Sequence, residues 1–331
     1  MRKALDVVRS KYRRDCRSLL VLAFCVATAL LCHAQINPNR VAQLRWYKAD
    51  TAATMAVHAC PYAMAFDGAN IWVGSGDESG VITKVRASDG AILLSTSLPN
   101  PTGYGSIGQI AYDGANIWTS LGYNNVVAKV RASDGALLGT FPVGTDAYGL
   151  VFDGNYLWIS NAADNTVDKL RVDTGAIVGT YPVGAFPTYM VYDGSNIWVV
   201  NTVGYSVTKL RGSDGTNLGT FAVGNIPVGI TFDGSFIWIA NQASGTVSKL
   251  VASNGSLAGT YFSGGSDPSG IVFDGANIWV TNFYSNTVTE LRDADGVGLG
   301  SFPTQSEPYG IVFDGSNIWV ANYYGNSLSK M

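Results

Sequence analysis

The feature that most constrains this chain is a motif that returns seven times. Each copy reads aromatic–Asp–Gly–x–x–Ile/Leu–Trp, starting at Phe66, Tyr112, Phe152, Tyr192, Phe232, Phe273 and Phe313. The Asp-to-Asp steps are 46, 40, 40, 40, 41 and 40 residues, and a tryptophan stands five residues after every Asp. A fixed period near 40 residues marks a repeat architecture, in which each unit cannot bury its apolar face alone and must stack on its neighbours.

Within a repeat the local chemistry is that of strands. Gly149-Leu150-Val151-Phe152 runs into Asp153-Gly154, and Asp-Gly between apolar runs signals a hairpin, because the turn needs a positive φ that glycine adopts without strain. In the fourth repeat Asn196-Ile197-Trp198-Val199 is followed by Val207-Thr208-Lys209-Leu210, a second turn at Ser213-Asp214-Gly215, and Gly219-Thr220-Phe221-Ala222-Val223. Four strands, a to d, therefore fill each period, and nothing in the body has the 3.6-residue periodicity of an amphipathic helix. The expected fold is all-β: a seven-bladed β-propeller with four antiparallel strands per blade. The seventh repeat reaches only strand c, Leu328-Ser329-Lys330-Met331, while Thr54-Met55-Ala56-Val57 stands unassigned before the first repeat. That N-terminal strand is expected to complete the last blade, closing the ring and leaving only short outer edges.

Residues 1–34 read differently. Seven Lys and Arg precede an apolar run over 19–31, and Cys32-His33-Ala34 offers a small residue on each side for cleavage before Gln35. Thirteen apolar residues fall short of the roughly 20 that span a bilayer, so a removed Sec-type signal peptide is expected rather than an anchor. The domain reading is signal peptide 1–34, a lead-in 35–53 containing Trp46, and a single propeller over 54–331. Localisation is then periplasmic or extracellular.

Export changes the chemistry of what is left. Of the four cysteines only Cys60 remains, so no disulfide framework is expected. The mature chain carries 14 basic against 22 acidic residues. A net charge near −8 argues against nucleic acid and against anionic membrane surfaces, both of which are recognised through clustered Lys and Arg. No integral membrane segment is expected after cleavage, and a monomer is expected.

Two recurrent residues have structural readings. The seven tryptophans are expected to pack between blades rather than to form a ligand platform, since repeat geometry demands equivalent core sites. Lys84, Lys129, Lys169, Lys209, Lys249 and Lys330 recur in strand c, with Glu290 as the exception. Their stems are expected to lie over the strand with the ammonium in water.

The runs Val280-Thr281-Asn282-Phe283-Tyr284-Ser285-Asn286 and Val320-Ala321-Asn322-Tyr323-Tyr324-Gly325-Asn326 resemble the YVTN family of β-propeller repeats. The likeness extends over the whole mature chain, with Trp where that family usually has Tyr or its neighbour. The same repeat class is similar to the NHL-repeat proteins, the streptogramin (virginiamycin B) lyases and the gluconolactonase/regucalcin group. The resemblance implies a secreted, periplasmic or surface protein, and for most members a binding scaffold.

Strand direction sorts the connections onto two faces. The a-to-b and c-to-d turns share one face, which is short and repetitive and is called the Asp-Gly face below. The b-to-c and d-to-a loops share the other, the loop face, where the sequence varies and function is expected. It is rich in aromatic residues, of which Tyr62, Tyr123, Tyr148, Tyr189, Tyr205, Phe283, Tyr284, Tyr309, Tyr323 and Tyr324 are candidate binding residues. Tyr104, Asp146, Asp267 and Glu307 stand in the same loops. Asn161, Asn201, Asn241, Asn282 and Asn322, at the ends of strand b, read as loop caps rather than a cation site. Prolines 61, 187, 227, 268 and 308 read as rigid starts of strand a.

The function expected from this is non-enzymatic: a binding scaffold recognising protein or carbohydrate through the loop face, with no catalytic residues, no metal site and no cofactor. The alternative is a metal-dependent lactonase, hydrolase or lyase-like enzyme with a site at the channel mouth, where calcium would be the ion to test. Streptogramin-lyase-like chemistry implies histidine and glutamate at a metal, and after export only His58 remains, on the closing strand.

Overall fold

The structure, a computed structural model, describes residues 54–103 and 105–331. The expected signal peptide, the lead-in with Trp46, and Tyr104 lie outside the described residues.

Those residues form seven four-stranded antiparallel sheets, each in the order a-b-c-d from the axis outward. In the fourth blade the strands are Pro187–Tyr192, Asn196–Asn201, Ser206–Arg211 and Asn217–Ala222. Strand a of every blade touches strand a of the next, and that of the seventh touches that of the first, so the ring is closed. The closing strand is the N-terminal one: Thr54–Ala56 pairs with Ser327–Lys330 and becomes strand d of blade 7. The fold is a seven-bladed β-propeller. No helix among the described residues is long and apolar enough to cross a membrane.

The repeat motif is one hydrogen-bonded device. In blade 1 the Asp67 Oδ1 accepts the amide N–H groups of Ala69 and Asn70, closing the turn, and Oδ2 accepts the Trp72 indole N–H at 2.8 Å. The indole-to-Asp bond recurs in all seven blades at 2.6–2.8 Å. Burial alone would push these carboxyls up, but the indole and turn donors outweigh it and hold Asp67, Asp113, Asp193 and Asp314 below the usual carboxylate range. Each ring lies between blades as expected: Trp158 packs with Ile197, Val199 and Leu210 of the following blade.

The lysines depart from expectation. Their ammonium groups are turned inward, and each crosses to the next blade to donate to a backbone carbonyl just after strand c, at 2.5–3.2 Å. Lys209, only 6% exposed, donates to Ala252 and Ser253 while lying over its own Trp198 ring. A buried cation demands such partners. Six interblade junctions thus carry a lysine strut. At the seventh, between blades 6 and 7, the position is Glu290, which accepts from Asn277 of its own blade. Blade 7 differs from the others in taking its strand d from the N-terminal Thr54–Ala56.

Candidate functional site

The loop face is built on a repeated frame. In six blades the residue just before strand a adopts the left-handed conformation: Cys60, Asp146, Phe186, Ile226, Asp267 and Glu307, with φ of 50–61°. Its carbonyl accepts the N–H of the residue that follows strand b at 2.7–3.0 Å, as in Phe283 to Asp267 and Tyr323 to Glu307. In four of these blades an asparagine from the preceding b-to-c loop accepts the N–H of the left-handed residue, as Asn286 does for Glu307 and Asn326 for Cys60. The asparagines that end strand b are fully buried and donate to Ser or Thr of strand c, Asn201 to Ser206 and Thr208 for example. Their Nδ2 groups thus tie strand b to strand c, while Oδ1 of Asn161, Asn201, Asn282 and Asn322 is buried without a hydrogen-bond partner among the described residues.

On this frame the side chains differ from blade to blade. Blades 6 and 7 place Phe283 and Tyr323 after strand b, each followed by an exposed tyrosine, Tyr284 and Tyr324. Within each pair the rings stand nearly perpendicular, at 76° and 73° with centroids 5.1 Å apart. Phe283 continues to Tyr309 (5.9 Å, 89°) and to Tyr323 (6.5 Å). Tyr323 meets Tyr62 at 6.1 Å, and Tyr62 stacks on Tyr309 at 4.2 Å.

From there the cluster descends into the channel. Tyr62 donates its hydroxyl hydrogen bond to Tyr309 at 2.8 Å, accepts from Tyr189 at 3.3 Å and is also bonded to the Tyr148 hydroxyl. Tyr148 and Tyr189 meet edge to face. Burial first, and then their mutual proximity, push the Tyr62, Tyr148 and Tyr189 phenols well above their ordinary range. They are therefore protonated donors at any physiological pH, unsuited to act as bases. The four strands reach this proximity because glycines let neighbouring strands a approach closely: a Cβ on Gly310 or Gly149 would collide with the carbonyl oxygen of Tyr62 or Thr188 in the next blade.

Eight of the ten sequence candidates thus form one contiguous cluster over blades 6, 7 and 1, extending to strands a of blades 3 and 4. Tyr62, Tyr148, Tyr189 and Tyr309 stand on strand a rather than in the d-to-a loops, a correction of one or two residues with a clear cause. Strand a begins at Pro61, Ala147, Pro187 and Pro308, directly after the left-handed residue, so these tyrosines line the channel wall. Tyr123 and Tyr205 stand on blades 2 and 4, exposed on a 3-10 turn (Gly122–Asn124) and in a left-handed corner.

Sequence reasoning missed the group beside Tyr323. Gly76 occupies in blade 1 the frame position of Phe283 and Tyr323, and a Cβ there would press on both Tyr323 and Tyr62, at 2.8 and 2.9 Å. The next residue, Asp77, lies 3.8 Å from Nδ1 of His58, which stands in the loop beyond the closing strand rather than on it. The Cys60 thiol is paired with the Tyr323 hydroxyl, which is pushed up to about 12, chiefly by burial and then by that thiol. The glycine gave no clear signal in the sequence, since blade 2 carries Gly122 at the same position; only ring closure brings Tyr323 of blade 7 against Gly76.

Among the described residues no group of three or more His, Cys, Asp or Glu side chains could hold a metal ion. The donors that converge in the channel are phenols, which do not fit the His and Glu set expected of a metal-dependent lyase, so no chemistry is routed through a metal here. Two open clefts lie on the opposite face, lined by Asp67, Tyr112 and Arg131 and by Asp153, Lys169 and Tyr192. Their turn aspartates and strut lysine belong to the repeat scaffold.

No protein-family model matches the sequence, and no curated protein matches it. The likeness to YVTN and NHL repeats therefore rests on the motif alone. Solved structures do match. A selenomethionine-substituted virginiamycin B lyase from Staphylococcus aureus shares 19% identity over 84% of this chain and 97% of that one, with a TM-score of 0.71. A catalytically inactive histidine-to-alanine variant of the virginiamycin B lyase from S. aureus, with quinupristin, shares 20% over 84% and 98%, with a TM-score of 0.72. A streptogramin B lyase shares 18% over 84% and 95%, with a TM-score of 0.69. At such identities the likeness is one of fold.

Proposed function

We propose that this chain is a propeller of the lyase-like kind that takes a small, ring-bearing organic ligand at the loop-face mouth of its channel, over blades 6, 7 and 1. One observation carries the reading: the aromatic cluster is continuous from the exposed Tyr284 and Tyr324 to the buried phenols of the channel. Exposed rings grouped above convergent polar atoms are what a small-molecule site requires, namely apolar walls and a few fixed hydrogen-bond donors. The similar solved structures weigh on the same side, being lyases, one of them with quinupristin. They favour the channel-mouth alternative over a non-enzymatic scaffold for protein or carbohydrate.

The chemistry of such a site would differ from a metal-dependent one. His58, with Nδ1 3.8 Å from an Asp77 carboxylate oxygen, is the one imidazole among the described residues, and an imidazole near a carboxylate is a group that can accept a proton. In this reading the phenols orient the ligand and His58 acts on it. We further propose that the protein works outside the cytoplasm once residues 1–34 are removed.

The test is a panel of ring-bearing small molecules, quinupristin among them, followed by tyrosine fluorescence and by mass spectrometry for consumption. Binding is expected to vanish in Tyr284→Leu/Tyr324→Leu with little change in Tm, and consumption, but not binding, to vanish in His58→Ala. Binding that survives the double variant would end the reading.

A further inference from the structure

The positive charge of the described chain is confined to one end of the blades. Every Lys and Arg from residue 54 onward stands in strand c, in the half nearer the Asp-Gly face. The lysines are consumed by the interblade struts, and the arginines pair with carboxylates of the c-to-d turns, as Arg86 does with Asp89 and Arg211 with Asp214. Among the described residues the loop face holds no Lys or Arg. It holds Asp77, Glu78, Asp146, Asp164, Asp267 and Glu307, with His58 as its one basic side chain among the described residues.

Three of those acids adjoin the aromatic cluster. Asp267 and Glu307 give their carbonyls to the backbone of Phe283 and Tyr323, and Asp77 follows the glycine that lies against Tyr62 and Tyr323. Glu307 is only partly buried, but its Oε2 is shielded from solvent and has no hydrogen-bond partner among the described residues. A desolvated, unpartnered carboxylate oxygen is costly, and a cation arriving beside it relieves that cost. The rings supply the complementary surface. Nearly perpendicular pairs at Phe283–Tyr284 and Tyr323–Tyr324 stand side by side, their inner rings 6.5 Å apart, and the faces of aromatic rings attract cations within about 6 Å.

Resting on the channel-mouth reading above, we propose that the ligand carries an organic cation, a quaternary or alkylated ammonium group, seated against these rings and compensated by Glu307, Asp267 and Asp77. Neutral sugars and anionic ligands are then disfavoured. Negative charge, with no competing Lys or Arg among the described residues of this face, also draws cations toward the mouth, an effect that weakens with salt.

Choline and its uncharged isostere 3,3-dimethyl-1-butanol separate charge from shape. Titrated into the protein with tyrosine fluorescence and calorimetry as readouts, choline is expected to bind about tenfold more tightly. That preference is expected to shrink several-fold in Glu307→Gln/Asp77→Asn and to disappear, with all binding, in Tyr284→Leu/Tyr324→Leu. Equal affinity for the two probes, tighter binding of the alcohol, or no binding of either would overturn the cation assignment. A neutral ring-bearing ligand still captured by the same tyrosines would leave the channel-mouth reading standing, whereas loss of every ligand's dependence on those tyrosines would remove both.

Discussion

Blades 4 and 5 and blades 6 and 7 are built on one frame and spend it differently. In blades 4 and 5 the left-handed position holds Phe186 and Ile226, and the residue after strand b is Thr202 or Gln242. In blades 6 and 7 the same backbone holds Asp267 and Glu307 opposite Phe283 and Tyr323. The hydrogen bonds are the same, at 2.8–3.0 Å, so the frame does not depend on what it displays. Strand c tells the same story on the other face: blades 4 and 5 keep their lysine struts, and blade 6 has Glu290. A closed ring of equivalent sheets tolerates local substitution on one side because the remaining junctions hold the geometry, and that tolerance lets a site be assembled over a few blades only.

The largest expected effect tests whether the shared frame is the source of stability. Trp198→Ala in blade 4 removes a fully buried indole and leaves Oδ2 of Asp193 with only the Asn196 side-chain amide as donor, and is expected to cost about 3–5 kcal/mol in denaturant unfolding. The display residues of blades 6 and 7 should behave oppositely, since Tyr284 and Tyr324 are 68% and 64% exposed. If losing those two tyrosines destabilised the protein as much as losing Trp198, the division between frame and display would be wrong.

A smaller effect sharpens the comparison at the struts. Lys209→Met keeps most of the apolar stem but leaves the Ala252 and Ser253 carbonyls without their donor, and is expected to cost about 1–3 kcal/mol. Glu290→Gln at the equivalent position of blade 6 is expected to be neutral or slightly stabilising at pH 7. Burial and then Asp274 push the Glu290 carboxyl up, and the amide removes that strain. Equal losses at the two positions would show that Glu290 serves as a strut in its own right.

The contrast between frame and display also explains what could be read from the chain before it was folded. The seven Asp-to-Trp spacings and the unassigned strand at Thr54 are local signals, and both led directly to the closed propeller. The lysines misled because their partners are nonlocal: the sequence shows that Lys209 recurs, but only the ring places the Ala252 carbonyl 2.6 Å from it. The tyrosines were identified by type, yet their grouping required closure, since Tyr62 and Tyr309 are 247 residues apart and meet only where the last blade adjoins the first. Tyr205 looked equivalent to Tyr284 because exposure and aromaticity are visible in a loop, whereas the neighbouring blade that completes a cluster is not.

The smallest expected effect lies at the boundary between the two regions, where the strut of blade 5 reaches blade 6. Lys249 donates to the Asp293 carbonyl, while the Asp293 carboxyl is pushed up to about 6 by burial and then by Asp233, against the opposing pull of Lys249. The folded state therefore holds this proton more tightly than the unfolded chain, whose carboxyl has its ordinary value of 3.8. The resulting stabilisation is complete below that ordinary value and is lost as pH rises through about 6. Asp293→Asn, which stays neutral throughout, is accordingly expected to raise Tm by about 1–3 °C relative to the parent at pH 7.5, with the gain fading to nothing near pH 4. Thermal melts across that range decide it. A gain independent of pH would mean that the amide acts by shape or by a new hydrogen bond. No gain at either pH would mean that the Lys249 ammonium fully compensates the carboxylate, making the junction between blades 5 and 6 as ordinary as the one between 4 and 5.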